Sequence, residues 1–261
     1  MRRRLALLVV ALFVLTACSD DGTTVYPDVQ QLTQAVDKAV AGAKTAGFTT
    51  EIAVGTVQTK GQGQLRLDAS TALVTTMDFY GDPLEIRLVD GQLYVKVPES
   101  AQEGDKPWVR IPRDGTDPFS QAAGGSIDQL AQQNDPARTL EQIKTAGTIV
   151  SSGAVTLNDA PTTHYVVNID LVKLHENLPA GLSPAALTQT DGKATGFPLE
   201  LWLNAEQLPV QVTFDLTPIL IAAGAPPNSA AKITTAYKDW KAPTVVEPPP
   251  ADQVGDLPPP P

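Results

Sequence analysis

Residues 84–97 read Leu84-Glu85-Ile86-Arg87-Leu88-Val89-Asp90-Gly91-Gln92-Leu93-Tyr94-Val95-Lys96-Val97. Leu84, Ile86 and Leu88 alternate with Glu85 and Arg87, and Leu93, Val95 and Val97 resume the alternation after Asp90-Gly91. A period of two puts one set of side chains on one face of a strand. Asp-Gly supplies the backbone that a two-residue hairpin turn requires. The stretch predicts two antiparallel strands with one apolar and one polar face, hence a sheet buried on one side and wet on the other.

The same pattern extends in both directions. Upstream, Leu65 and Leu67 alternate with Gln64, Arg66 and Asp68, while Leu73, Thr75, Met77 and Phe79 share a face. Downstream come a short strand at 108–111, a strand over 148–158, and the one-sided run Thr163, Tyr165, Val167, Ile169 and Leu171. Leu199, Leu201 and Leu203 form the next, then Leu208, Val210, Val212, Phe214 and Leu216, with Glu206-Gln207 at the turn between them, and a last strand spans 233–240. Short connections between successive strands predict a meander.

Helices interrupt this sheet. The first covers 28–46: Asp28 and Gln31 have capping-box spacing, Val29, Leu32, Val36, Val40 and Ala43 form an apolar stripe, and Gly47 suits the C′ position. Asp117-Pro118 and Asp135-Pro136 each put an N-cap acid before a proline at the first helical position. The second of these helices carries Leu140 and Ile143 and stops at Gly147, Ile127 and Leu130 suggest a short helix between the two, and 171–189 reads as irregular helix around Pro179 and Pro184. The predicted fold class is α+β. A large antiparallel sheet curls because an open sheet of this size does not stay flat, and helices cover its apolar face.

The ends differ from this body. Arg2 to Arg4 precede the apolar run Leu5–Leu15, which Leu15-Thr16-Ala17-Cys18 closes. A basic start, a short apolar stretch and small residues make a secretory signal over 1–17, and the run falls short of the ~20 residues a bilayer span needs. The Leu-Thr-Ala-Cys ending resembles the lipobox of bacterial lipoproteins. That resemblance implies cleavage before Cys18, covalent diacylglycerol on its thiol and an N-acyl lipid; the alternative is an ordinary signal peptide with an incidental cysteine. Residues 18–27 read as a polar tether carrying the acylated cysteine, 28–241 as the folded domain, and 242–261, with eight prolines, as an extended proline-rich tail.

Composition narrows the function classes. Loss of the leader's three arginines takes the formal charge from −10 to −13. So acidic a chain is a poor ligand for nucleic acid, whose affinity comes largely from Lys and Arg on phosphates. Cys18 is the one cysteine, so no disulfide supports the fold. Aromatic residues make up only 5% of the chain, which argues against a carbohydrate-stacking surface. An enzyme needs groups of tuned acidity in mutual reach, and this chain has two histidines, His164 and His175, and no Gly-x-Ser-x-Gly elbow. It lacks His-x-x-x-His spacing for zinc, and Asp20-Asp21 and Asp114 to Asp117 lack the calcium-loop pattern. Gly61-Gln62-Gly63 has no following helix and reads as a hairpin turn rather than a phosphate cradle.

Taken in order, several pieces resemble the LppX/LprA/LprF/LprG-type actinobacterial lipoproteins, whose fold is like that of the carriers LolA and LolB. They are Leu15-Thr16-Ala17-Cys18 with the first helix, Asp90-Gly91-Gln92-Leu93-Tyr94-Val95-Lys96, Lys106-Pro107-Trp108-Val109, Asp135-Pro136 with its helix, Thr163-His164-Tyr165, Leu208-Pro209-Val210 and Tyr237-Lys238-Asp239-Trp240. The resemblance implies a half-barrel with helices packed on its concave face and a hydrophobic cavity between them that holds acyl chains of envelope lipids. It implies no catalytic residue, metal or cofactor. It implies a lipid or glycolipid ligand, attachment to the outer face of the cell membrane through Cys18, and a membrane transporter as a candidate partner. The candidate lining is Leu84, Ile86, Leu88, Leu93, Val95, Val97, Val210, Val212 and Phe214, and 178–196 is a candidate lid. The same residues could fill an ordinary core, since alternation does not separate a cavity wall from packed interior. With a filled core, the protein would be a non-carrier envelope module that docks a transporter, regulator or wall component.

Overall fold

A computed structural model describes residues 24–68, 71–79, 82–97, 102, 105–111, 134–174, 178–179 and 182–256. The first described element is α1 (Val29–Ala43). Asp28 caps it by accepting from the Gln31 N–H at 2.9 Å, and Leu32, Val36, Val40 and Ala43 make its buried stripe. Lys44, at φ 64°, ends it by turning left-handed and donating its N–H to the Val40 carbonyl. The helix therefore stops short of the predicted 46, and Gly47 lies inside the next strand.

The first meander follows: β1 (Thr45–Val54), β2 (Val57–Leu67), β3 (Thr71–Phe79), β4 (Asp82–Val89), β5 (Gln92–Lys96) and β6 (Trp108–Ile111). Asp90 and Gly91 both have positive φ, as a primed hairpin turn demands. After α2 (Pro136–Ala146), capped by Asp135 accepting from the Ala137 N–H at 2.9 Å, comes a second meander. It consists of β7 (Gly147–Leu157), β8 (Ala160–Asp170), β9 (Gly196–Leu203), β10 (Pro209–Asp215) and β11 (Ala231–Lys238). Short helices α3 (Leu171–Leu174), α4 (Pro184–Thr188) and α5 (Thr217–Ala222) lie between strands, the first two within the irregular helix expected over 171–189.

The described residues form one twelve-stranded sheet in the order β12-β6-β5-β4-β3-β2-β1-β11-β10-β9-β8-β7, where β12 is Val254–Asp256. Every pairing is antiparallel except β12 on β6. β1 and β11 zip the two meanders together, with Phe48 opposite Tyr237. The end strands do not meet, so the sheet is open.

Alternation places Ala46, Phe48, Thr50 and Ile52 of β1 on an inner face, with their cross-strand partners down the sheet. Leu88, Leu73, Leu65 and Ala46 form one fully buried cross-strand row. Inner residues of both meanders join α1 and α2 in a single hydrophobic cluster. One helix pair can share a core with strands so far apart only if the sheet curls round it, which makes the inner face concave.

The stretch expected to be an extended proline-rich tail is extended and, over its described residues, packs on the outer face. The Lys241 N–H donates to the Thr45 carbonyl at 3.0 Å, and the Thr45 hydroxyl donates to the Ala242 carbonyl at 2.8 Å. The Arg66 and Arg87 guanidiniums donate to the Val246 and Glu247 carbonyls. Val246, 1% exposed, packs with Ala72 and Val89. The strap ends as β12, which pairs with the β6 edge.

Candidate functional site

The inner face is apolar at both sides and small and polar in the middle. Gly61, Gly63, Thr75, Thr50 and Thr235 occupy the central inner positions. Gly63 is needed there: a Cβ would lie 2.2 Å from the Val74 carbonyl oxygen and 2.6 Å from the Phe48 ring. Asn134, at the start of α2, reaches this zone. Its side-chain oxygen accepts from the Thr50 hydroxyl at 2.8 Å, Thr50 and Thr235 hydroxyls lie 3.2 Å apart, and the Tyr237 hydroxyl donates to the Asn134 carbonyl at 3.2 Å. The N-cap Asp135 also accepts from the Thr71 hydroxyl at 2.7 Å. These contacts hold the beginning of α2 against the middle of the sheet. Burial pushes the Tyr237 phenol far above the usual tyrosine range, with the negative charge of Asp135 adding to the effect.

Beside this network lies a cleft walled by Phe48, Thr50, Ile52, Thr59, Gly61, Thr75, Met77 and Asn134, with a free volume of about 10 Å³, room for about one water molecule. Past the cleft the inner face continues as an incompletely covered apolar strip. Ile52, Met77, Leu84 and Val95 are half-buried, and at the β1–β2 hairpin Val54 and Val57 are 45% and 66% exposed.

The candidate lining residues divide between these regions. Ile86, Leu88 and Leu93 are buried in the cluster, in cross-strand pairs Ile86–Val95 and Leu88–Leu93. Leu84 faces Met77 on the open strip, and Val97 is half-buried just beyond β5. Val212 and Phe214 are buried beneath the second meander, facing Leu201 and Leu199. Val210 sits half-buried at a bulge between β10 and β9. Four strands separate β4 from β10, so the two groups share a face without touching as neighbours in the sheet. Sequence reasoning passed over Ile52, Thr50 and Asn134 and read Gly61-Gln62-Gly63 as a hairpin turn, whereas these three residues lie inside β2; glycines and threonines blur the alternation of β1 and β2. Cys18, His175, and the helices expected around Asp117-Pro118 and Ile127-Leu130 lie outside the described residues.

A wider trough of about 690 Å³ opens on the opposite face. Outward Thr49, Glu51, Gln62, Thr76, Gln211 and Thr234 line it together with Met77, Pro83 and Ala236, so its wall mixes polar and apolar groups. His164 is on that face too: its Nε2 lies 2.8 Å from Glu200, and its ring stacks on Trp202 at 4.3 Å. Among the described residues no three His, Cys, Asp or Glu gather as a metal site, and no helix is long and apolar enough to cross a membrane.

An open, almost wholly antiparallel sheet curled round two helices, with a strip of its concave face left incompletely covered, defines an α+β half-barrel. Among solved structures it is similar to the Mycobacterium tuberculosis lipoprotein LppX, with a TM-score of 0.53 and 14% identity over 84% of this chain and 98% of that one. LprF from Mycobacterium bovis aligns at 13% identity and a TM-score of 0.47, over 85% and 96% of the two chains. A LolA superfamily protein from Nitrosomonas europaea aligns at 9% and 0.32, over 84% and 96%. No family model matches the chain, and no curated protein sequence matches it.

Proposed function

We propose that this chain is an exported, acyl-anchored lipid-binding protein of the cell envelope, which holds acyl chains of a lipid or glycolipid against the inner face of its sheet. The observation that carries the reading is the apolar strip Val57, Val54, Ile52, Met77 and Leu84, which continues the core outward on the concave face and stays partly exposed. A soluble domain normally buries such a continuous face. Each acyl methylene laid on it contributes about 0.8 kcal/mol toward leaving the bilayer. The Thr50, Thr235 and Asn134 groups would mark the depth at which the apolar surface gives way to polar contacts, with the headgroup at the rim. Cys18, as the lipidated residue, would keep this surface near the membrane that supplies the ligand. No bond is made or broken in this mechanism, and a membrane transporter is the candidate for ligand hand-over. The LppX fold supports the reading through its architecture alone.

The test is native mass spectrometry and lipid extraction on residues 24–261, with binding of a fluorescent fatty acid as a second readout. Co-purifying lipid is expected, with at least a tenfold weaker fatty-acid affinity in Met77→Asp and Leu84→Asp and no change in Val172→Asp, which alters a residue 73% exposed elsewhere. Repeatedly empty preparations that also bind no fatty acid would overturn it.

A further inference from the structure

The two edges of the sheet are treated in opposite ways. At one end, β12 covers β6, and the strap that delivers it carries prolines 248–250. Pairing and proline are standard protections for a sheet edge. At the other end, β7 pairs among the described strands with β8 alone. Its sequence, Gly147-Thr148-Ile149-Val150-Ser151-Ser152-Gly153-Ala154-Val155-Thr156-Leu157, holds no charge and no proline over 11 residues. Val150 is 66% exposed and Val155 39%. Outside its ladder with β8, the Val155 carbonyl accepts from the Thr162 hydroxyl and the Gly147 N–H donates to the Ile143 carbonyl; among the described residues no other backbone group of β7 has a partner beyond that ladder. A bulge between Ile149 and Ser151 bends the start of the strand, leaving Ser151–Leu157 regular. A long, uncharged, β-branched edge with unpaired backbone groups is a template for another strand.

We propose that this edge pairs with the β7 of a second copy of the chain, antiparallel, about a two-fold axis at Gly153, so that one sheet runs through both copies. For a second copy, charge selects this edge over the other faces. The chain carries a net charge of −10, so most faces of two copies repel, whereas homotypic pairing along β7 brings no like charges opposite each other. Antiparallel pairing also sets the Lys144 end of one edge beside the exposed Asp159 at the far end of the other, twice over, with Glu141 a turn further back on α2. About the Gly153 axis, Ser151 faces the second copy's Val155 and Ser152 faces its Ala154; small side chains permit that approach. A Cβ built on Gly153 meets nothing within 4 Å.

The full chain tests this by crosslinking. Residues facing across an antiparallel pair have Cα atoms about 4.5–5.5 Å apart, within disulfide reach. Gly153→Cys is expected to give a disulfide dimer under mild oxidation, at least tenfold more than Val172→Cys on α3 or the unaltered chain. Ser151→Lys/Val155→Lys in the Gly153→Cys background places like charges opposite each other and should cut the crosslinked fraction at least tenfold. Mixing it with Ser151→Glu/Val155→Glu should restore a mixed dimer. Crosslinking no higher than the controls, a dimer indifferent to the lysines, or a crosslinked product of any mass other than twice the chain overturns the proposal.

Discussion

At the scale of single residues, the centre of the sheet depends on what is missing from Gly63. The Phe48 ring and the Val74 carbonyl occupy the space a side chain would need, so Gly63→Ala forces β2 away from β1 or β3. We expect a loss of about 1–3 kcal/mol, read as a lower urea midpoint. The neighbouring Tyr237 sets a pH dependence. Burial raises its pKa in the folded state, so above the ordinary tyrosine value of about 10 the unfolded chain releases a proton that the folded chain keeps. The unfolded state then binds fewer protons, and stability falls as pH rises. Tyr165, also raised by burial, acts in the same direction. Unfolding free energies measured at pH 9, 10 and 11 should decline, and less steeply in Tyr237→Phe; an equal slope in the variant would refute this origin. Face assignments such as Leu73, Thr75 and Met77 were legible in the sequence because period two survives one threonine. The Asn134–Thr50–Thr235 contacts were not, because they join residues from distant strands and a helix start, and nothing local signals them.

Elements whose apolar residues repeat cleanly were legible: α1, α2, β4, β5 and β8 to β10 lie within a few residues of their expected places. β1 was hidden because its inner positions run Ala46, Phe48, Thr50, Ile52 and its outer ones include Gly47, so the helix before it was read too far. The strap was hidden for another reason. Prolines forbid ladder and helix bonds along their own length and announce extended backbone, but they do not say whether that backbone finds a surface. Here Val246, Arg66 and Arg87 supply the contact. Val246→Ala removes two buried methyl groups and should cost about 1.5 kcal/mol. Deletion from residue 244 onward should cost more than that substitution, since it also uncovers Ala72 and Val89 and opens the β6 edge. Urea titration measures both, and equal midpoints for the deletion and the intact chain would show the strap to be energetically idle.

The molecule as a whole is two meanders closed on each other by one long-range pairing, β1 with β11, over a shared core. Neither meander has a core of its own among the described residues, so unfolding should be a single cooperative event. Trp108 reports from β6 and Trp202 from β9; fluorescence of variants retaining one or the other should give coincident urea transitions, and two separate midpoints would contradict the shared core. The β12–β6 pairing has a consequence in time. Among the described strands β12 comes last in the chain, so the β6 edge stays open until residues 254–256 are in place. A chain clipped shortly before residue 254 thereby differs from an intact one by a second open edge, at β6, which a quality-control protease can use to tell the two apart.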